Sequence, residues 1–260
     1  MRDTWQLPAF TETVLGNRRH DHVLVIPVIN EGQRIRNQLA RIAALGPPAD
    51  VVIADGGSTD GSLDPGFLQQ QGVRALLVKT GPGRLSAQLR MAYAWCLDQG
   101  YAGIVTVDGN GKDGVEAIPA FVAKLLEGFD YVQGSRYLPG GVAENTPLDR
   151  HIAGRFIHAP VLSLAARQRF TDTTNGFRAY SARALLDPRV APFRDVFERY
   201  ELLFYLTVRI PQLSYAATEI PVARRYPGAE PTPTKIAGWR GRLAMLGELM
   251  GTAFGRFHPR

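Results

Sequence analysis

Residues 23–31 read VLVIPVINE: an unbroken apolar run, then an amide and a carboxylate. The run has the length of a strand, and it lacks the polar alternation of a sheet with one wet face. Residues 32–45 follow with Ile35, Leu39, Ile42 and Leu45 at helical spacing. A second apolar run, VVIAD (51–55), comes next, and a third, VRALLVK, at 73–79. Residues 85–98 are helical by pattern, 101–109 (YAGIVTVDG) form a fourth strand, 116–126 a helix and 131–136 (YVQGSR) a fifth strand. Strands buried on both faces and alternating with helices imply an α/β fold, a single domain whose central, mostly parallel sheet is flanked by helices.

In such sheets ligands bind beyond the carboxyl ends of the strands. The polar residues of this chain gather there: Asn30 and Glu31 after the first strand, Asp55 after the second, Asp108 and Asn110 after the fourth. Asp55 opens the stretch DGGSTDGS. Ser58 or Asp60 is suited to cap a helix start, and the carboxylate at the strand tip is suited to accept from a nucleobase N–H. Asp108-Gly109-Asn110 puts two oxygen-bearing side chains on one side of an extended chain, a pattern that suits Mg²⁺ or Mn²⁺ shared with substrate phosphates and equally suits a polar turn.

The second half is less regular. Residues 137–149 read as a loop, about 150–167 as a helix, about 198–209 as another, and 213–224 as a pair of strands. The stretch RRYPGAEPTPTK (224–235) is too rich in Pro and Gly for regular structure and is expected to be a mobile active-site loop. Residues 237–260 read as a basic amphipathic tail: Trp239, Leu243, Leu246, Leu249 and Met250 lie near one helical face, with Arg240, Arg242 and Arg256. Such a helix either packs on the domain or lies in a membrane interface. The expected division is a leader at 1–21, a catalytic domain at 22–236 and this tail.

The formal net charge is +6 over 260 residues, which calls for an anionic partner without choosing among nucleic acid, acidic lipid and phosphorylated substrates. Lys and Arg are scattered rather than clustered with aromatics on one element, which argues against nucleic acid. One cysteine, Cys96, rules out an internal disulfide framework and reads as a small buried apolar residue. His20 and His22 around Asp21 lack the further ligands of a metal site. No signal sequence and no apolar run of spanning length is visible, so the expected location is cytoplasmic, either free or peripheral at the inner leaflet.

Taken together, VLVIPVINEG, VVIADGGSTDGS, VTVDGN, YVQGSRY and TDTTNGF, in this order and spacing, resemble glycosyltransferase family 2, and within it the branch of dolichol-phosphate mannose synthases and bacterial polyprenyl-phosphate sugar transferases. The resemblance spans roughly residues 22–240. It implies a GT-A-type nucleotide-sugar-binding fold and an inverting transfer from a nucleotide-diphosphate sugar. Pro27, Ile29 and Glu31 would then line the nucleoside pocket and Asp55 would hold the base. Asp108 would be the first residue of an Asp-x-Asp metal motif, and Arg136 would meet phosphate or acceptor. Arg225 (or Arg224) and Lys235 would close over the diphosphate. Two departures stand out. The second aspartate is Asn110; either Asp113 restores the missing charge, or the metal is bound weakly and Arg and Lys take over its task. Of an Arg and Ser four residues apart that serve a lipid-phosphate acceptor, Arg150 is present but position 154 is Gly. A lipid-phosphate acceptor needs no strong base, whereas a saccharide or small-molecule hydroxyl would need a carboxylate, with Glu198 or Glu201 the candidates. Asp172 touches the acceptor or caps a turn. An inactive sugar-nucleotide-binding protein is the remaining alternative that Asn110 suggests.

Overall fold

The computed structural model describes residues 4–227 and 238–259. Its main sheet has eight strands in the order β1-β4-β3-β2-β5-β8-β6-β9. These are β1 (Phe10–Val14), β2 (His22–Val28), β3 (Asp50–Asp55), β4 (Val73–Lys79), β5 (Gly103–Thr106), β6 (Tyr131–Ser135), β8 (Arg178–Ser181) and β9 (Ala217–Pro221). Strands β4, β3, β2 and β5 run parallel. β8 is reversed between β5 and β6, and β1 is reversed at the edge.

The central strand shows how the sequence sets the layers. All seven residues of β2 are buried. Val23 and Val25 point into one core, with α3 (Leu85–Asp98) above them; Leu24, Ile26 and Val28 point into the other, against α1 (Gln33–Leu45). Truncating Leu24 or Ile26 to alanine would cost about 2–5 kcal/mol, because such a layer cannot collapse around the gap. Pro27 is tolerated in this strand because pairing with β5 ends at Val25↔Thr106, so no ladder bond awaits its missing N–H. Gly46 stops α1 in the left-handed conformation, with its N–H on the Ile42 carbonyl.

Several expectations are corrected. The stretch treated as a leader contributes β1, whose five residues pair with β4. The helix beyond Asp55, α2 (Pro65–Gln70), is capped by Asp64, not by Ser58 or Asp60. The strands expected to pair near 213–224 do not pair with each other. β9 joins β6, while β10 (Ala223–Arg225) forms a separate two-stranded sheet with β7 (Val142–Glu144). A helical stretch near 198–209 begins later, as α8 (Glu201–Gln212). The helix near 150–167 is present in three pieces: α5 (Leu148–Ala153), a π-helical turn over Gly154–His158, and α6 (Ala159–Ala166). The remaining helices are α4 (Ile118–Leu126), α7 (Ala182–Leu186) and α9 (Gly238–Ala253). Leu249 of α9 is fully buried, yet Leu243 and Leu246 are exposed, so the expected apolar face is divided. Lys235 and most of the Pro-rich stretch lie outside the described residues, as do the side chains of Trp239, Arg240 and Arg242. Among the described residues no helix is long and apolar enough to cross a membrane.

Candidate active site

The carboxyl ends of β2, β3 and β5 open onto a cavity of about 600 Å³. Its floor is held by side chains that replace missing backbone bonds. Gln38 of α1 donates to the Asp108 carbonyl at 2.9 Å and accepts from the Gly111 N–H at 2.8 Å, pinning the loop after β5 from below. Gln88 of α3 donates to the carbonyls of Val28 and Ala54, tying the ends of β2 and β3 together. Above them, the Asn30 N–H donates to Ser58 Oγ, the Thr59 N–H to Asn30 Oδ1, and the Gly32 N–H to Asp60. The DGGSTDGS stretch is thus a staple between two strand tips.

Pro27, Ile29, Glu31, Asp108, Asn110 and Arg136 all line the cavity, so the structure gathers residues taken from three strand ends. Asp55 is 3% exposed and outside the lining; its carboxylate accepts from the Ser58 N–H and hydroxyl. Arg136 is held in a buried, two-pronged ion pair, with Nε 2.7 Å from Asp172 Oδ2 and Nη2 2.9 Å from Oδ1. Asp172 therefore sets the pose of Arg136. Burial alone would raise its carboxyl, but the Arg136 guanidinium holds it below the ordinary range.

Arg224 turns into the cavity, with Nη2 3.0 Å from Asp108 and Nη1 2.7 Å from Asp113. Arg225, expected over the diphosphate, pairs instead with Glu144 at 3.1 Å, with about half its side chain exposed. Successive strand residues face opposite ways, and in β10 the inward one is Arg224. Asp113 does not restore the charge lost at Asn110: it is fully buried and committed to Arg224. Glu201, the expected base, is 7% exposed, accepts from the Arg199 N–H at 2.6 Å and does not reach the cavity wall; neither does Glu198.

The lining holds two carboxylates, Glu31 and Asp108, against eight cationic side chains. Six of the latter are Lys79, Arg84, Lys112, Arg136, Arg150 and Arg224. Their mutual field is visible in its effect on neighbours. Burial and the adjacent Arg224 pull the Lys112 ammonium below its usual range. The Tyr226 phenol, which burial would push up, is held down by Arg224 and Arg136. Such a cavity favours an anion. Its other end is apolar, with Leu203, Phe204 and Met245.

Three contributors were not singled out from the sequence as site residues. Gly176 has no room for a Cβ, which would stand 2.9 Å from Asp108 Cγ. Arg178 is fully buried, and its guanidinium donates to the carbonyls of Thr173, Asn175 and Leu203 and to Thr207 Oγ1, locking the loop before β8 onto α8. His158 lines the apolar end from the π-helical turn. Only Gly176 had a sequence signal, as the glycine of TDTTNGF.

A parallel sheet with a reversed strand, a site at its carboxyl edge and an aspartate at the β5 tip define the GT-A class of nucleotide-sugar-binding folds. Glucosyl-3-phosphoglycerate synthase from Mycobacterium tuberculosis has this architecture, superposing with a TM-score of 0.63 at 18% identity over 98% of this chain and 88% of that one. The same enzyme in complex with Mn²⁺, UDP and phosphoglyceric acid superposes at 0.60 over 92% and 79%. The sequence model of glycosyl transferase family 2 matches residues 23–188. An undecaprenyl-phosphate mannosyltransferase of Micrococcus luteus is 31% identical over 209 residues, 76% of this chain and 81% of that protein. A polyprenol monophosphomannose synthase of Mycolicibacterium smegmatis is 25% identical over 227 residues, 86% and 84%. The chain belongs to glycosyltransferase family 2, and it is a glycosyltransferase.

Proposed function

We propose that this enzyme transfers a sugar from a nucleotide-diphosphate sugar to the phosphate of a polyprenyl-phosphate lipid, with inversion at the anomeric carbon. The observation that carries this reading is the electrostatic balance of the cavity: eight cations in the wall against Glu31 and Asp108, an excess that remains after buried Asp172 and Asp113 pair Arg136 and Arg224, with neither Glu198 nor Glu201 within it. A hydroxyl acceptor requires a base within hydrogen-bond reach, whereas a phosphate oxygen arrives already anionic and needs only to be held. The names of the two relatives point the same way.

Residues Pro27, Ile29 and Glu31 would line the nucleoside, with Asp55 shaping the neighbouring loop through Ser58. Mg²⁺ or Mn²⁺ suits the oxygens of Asp108 and Asn110, hard ligands on one loop. Among the described residues no group of three His, Cys, Asp or Glu is placed to hold a metal. The donor set therefore fits an ion shared with the substrate diphosphate rather than one caged by protein. When bound, such an ion would neutralise charge on the departing diphosphate. Arg224 and Lys112 add to that neutralisation, while Arg136, fixed by Asp172, and Arg150 hold the acceptor phosphate.

The helix that lines the cavity through Arg150, Ala153 and His158 exposes Leu148 (71%), Ile152 (47%), Phe156 (66%) and Leu164 (83%) on its outer side. A peripheral position on a lipid surface would cover these side chains and bring the acceptor to the site. The test is transfer of radiolabelled sugar from UDP- and GDP-sugars, with Mn²⁺ or Mg²⁺, to undecaprenyl phosphate and to the unphosphorylated alcohol. Labelled lipid should form only with the phosphate; transfer to hydroxyl acceptors alone would overturn the reading.

A further inference from the structure

The helix from Leu148 to Ala166 is irregular at one place, and that place faces the cavity. Pro160 has no N–H for the Phe156 carbonyl and its ring crowds that group, so a regular turn cannot form there. The chain widens into a π-helical turn over Gly154–His158, closed by the Ala159 N–H on the Gly154 carbonyl. Isolated turns of this kind recur at functional sites.

Within the turn, position 154 is tight: a Cβ would lie 3.1 Å from Thr174 Oγ1, closer than an ordinary contact. The side chain that the turn presents to the cavity beside Gly154 is His158. It is 8% exposed, its ring centroid lies 5.6 Å from that of Phe204, and its Nδ1 is buried without a hydrogen-bond partner. Nδ1 is enclosed, which leaves Nε2 as the nitrogen able to meet a ligand. Packing alone would be served as well by a phenylalanine.

Burial keeps the imidazole below its ordinary pKa, so near neutrality it carries one N–H and one lone pair. A buried unpaired N–H is rarer than an unpaired acceptor, which puts the proton on Nε2. The ring then offers a neutral donor beside Phe204 of α8, on the helix that also carries Arg150, and all three side chains line the cavity together with Leu203 and Met245. A ligand whose anionic head joins a hydrocarbon chain matches that combination of cation, donor and apolar wall.

We propose that His158 is an acceptor-binding residue that donates a hydrogen bond to the phosphate of the lipid acceptor, in concert with Arg150, and so places the head group where the apolar wall begins. This rests on the lipid-phosphate reading given above. The acceptor oxygen is already anionic, so His158 neither takes nor gives a proton in the transfer.

The test compares the wild type with His158→Phe, which keeps a ring against Phe204 but removes both nitrogens, and His158→Gln, which restores a donor. The readouts are KM for undecaprenyl phosphate, KM for the nucleotide sugar, and the slow hydrolysis of the sugar nucleotide without acceptor. The Phe variant should raise the acceptor KM about tenfold or more, as expected for losing a hydrogen bond to a charged group, and by a clearly larger factor than any change in donor KM or hydrolysis. The Gln variant should recover most of the loss. An unchanged acceptor KM in the Phe variant, or a Gln variant as impaired as Phe, would leave only a packing role and overturn the proposal. A wild type that glycosylates hydroxyl acceptors but no polyprenyl phosphate would overturn the acceptor reading and this proposal together.

Discussion

Arg224 stands 3.0 Å from the carboxylate of Asp108, on the strand tip that would hold a divalent ion. The guanidinium therefore occupies part of the space where the cation's charge is needed, and its other nitrogen is anchored on buried Asp113 at 2.7 Å. Burial pushes the Asp113 carboxyl above its ordinary range, against the pull of the Arg224 guanidinium. A divalent ion held by Asp108 would compete with Arg224 for that carboxylate until a diphosphate satisfied both.

This competition predicts weak Mn²⁺ binding without nucleotide. Replacing Arg224 alone would strand a buried carboxylate, at about 3–5 kcal/mol. The paired change Arg224→Met with Asp113→Asn removes both charges. In calorimetric titration the double variant should bind Mn²⁺ more tightly than wild type without nucleotide. Its kcat should fall about 10²–10³-fold through loss of a charge-stabilising donor. Equal Mn²⁺ affinity in the two proteins would show that Arg224 does not contest the site.

Asp108 depends on the absence of a side chain across from it. Gly176→Ala would push a methyl group against the carboxylate, at a cost of about 1–3 kcal/mol of overpacking and with Asp108 displaced. Asp108→Ala and Gly176→Ala should both reduce transfer by about 10² or more, while far-ultraviolet circular dichroism stays that of the wild type. Normal transfer by the Asp108 variant would remove this loop from the active site.

The pair Arg136–Asp172 makes a prediction about acid. Asp172's carboxyl is held below its unfolded value, so its contribution to stability is complete above the ordinary carboxylate range and is lost as pH falls through the depressed folded value. Asp172→Asn leaves a buried guanidinium without its counter-charge and should cost about 3–5 kcal/mol at neutral pH. Urea unfolding at pH 7 and pH 3 should show a gap between wild type and variant that narrows at the lower pH. The variant should also lose acceptor affinity, because Arg136 loses the partner that aims it.

How far the sequence foretold this site depends on what each residue packs against. β2, β3 and β4 were legible because buried parallel strands are continuous apolar runs, and Asp108 and Asn110 followed as the residues at a strand tip. β8 was hidden because its first residue, Arg178, is a buried arginine satisfied by carbonyls and a hydroxyl from distant segments. β1 was hidden for the opposite reason: four of its five residues are exposed, so no buried apolar run marks the strand. Arg224 and Arg225 could not be told apart because alternation says that one faces inward, and only the pairing of β10 with β7 says which. Glu201 looked like a base because helix position alone does not reveal that Arg199 and α9 cover it.

That cover carries the last prediction. Glu248 of α9 lies 3.0 Å from Arg199 and faces Glu201, with Arg84 and the Tyr200 backbone also near it. Burial, then repulsion by Glu201, raises its carboxyl from 4.5 to about 7 despite Arg199. The folded protein thus binds this proton more tightly than the unfolded chain. Its stabilising effect is complete below pH 4.5 and is lost as pH rises through about 7. Met245 of the same helix lines the cavity, so loosening α9 would open the apolar end of the site. Glu248→Gln, which cannot ionise, should melt at a higher temperature than wild type at pH 8, and the difference should shrink toward pH 5. Hydrogen exchange of α9 amides should slow in the variant at pH 8 over the same comparison. Melting profiles that run parallel from pH 5 to pH 8 would mean that Glu248 does not titrate in this range and that α9 is held independently of its charge.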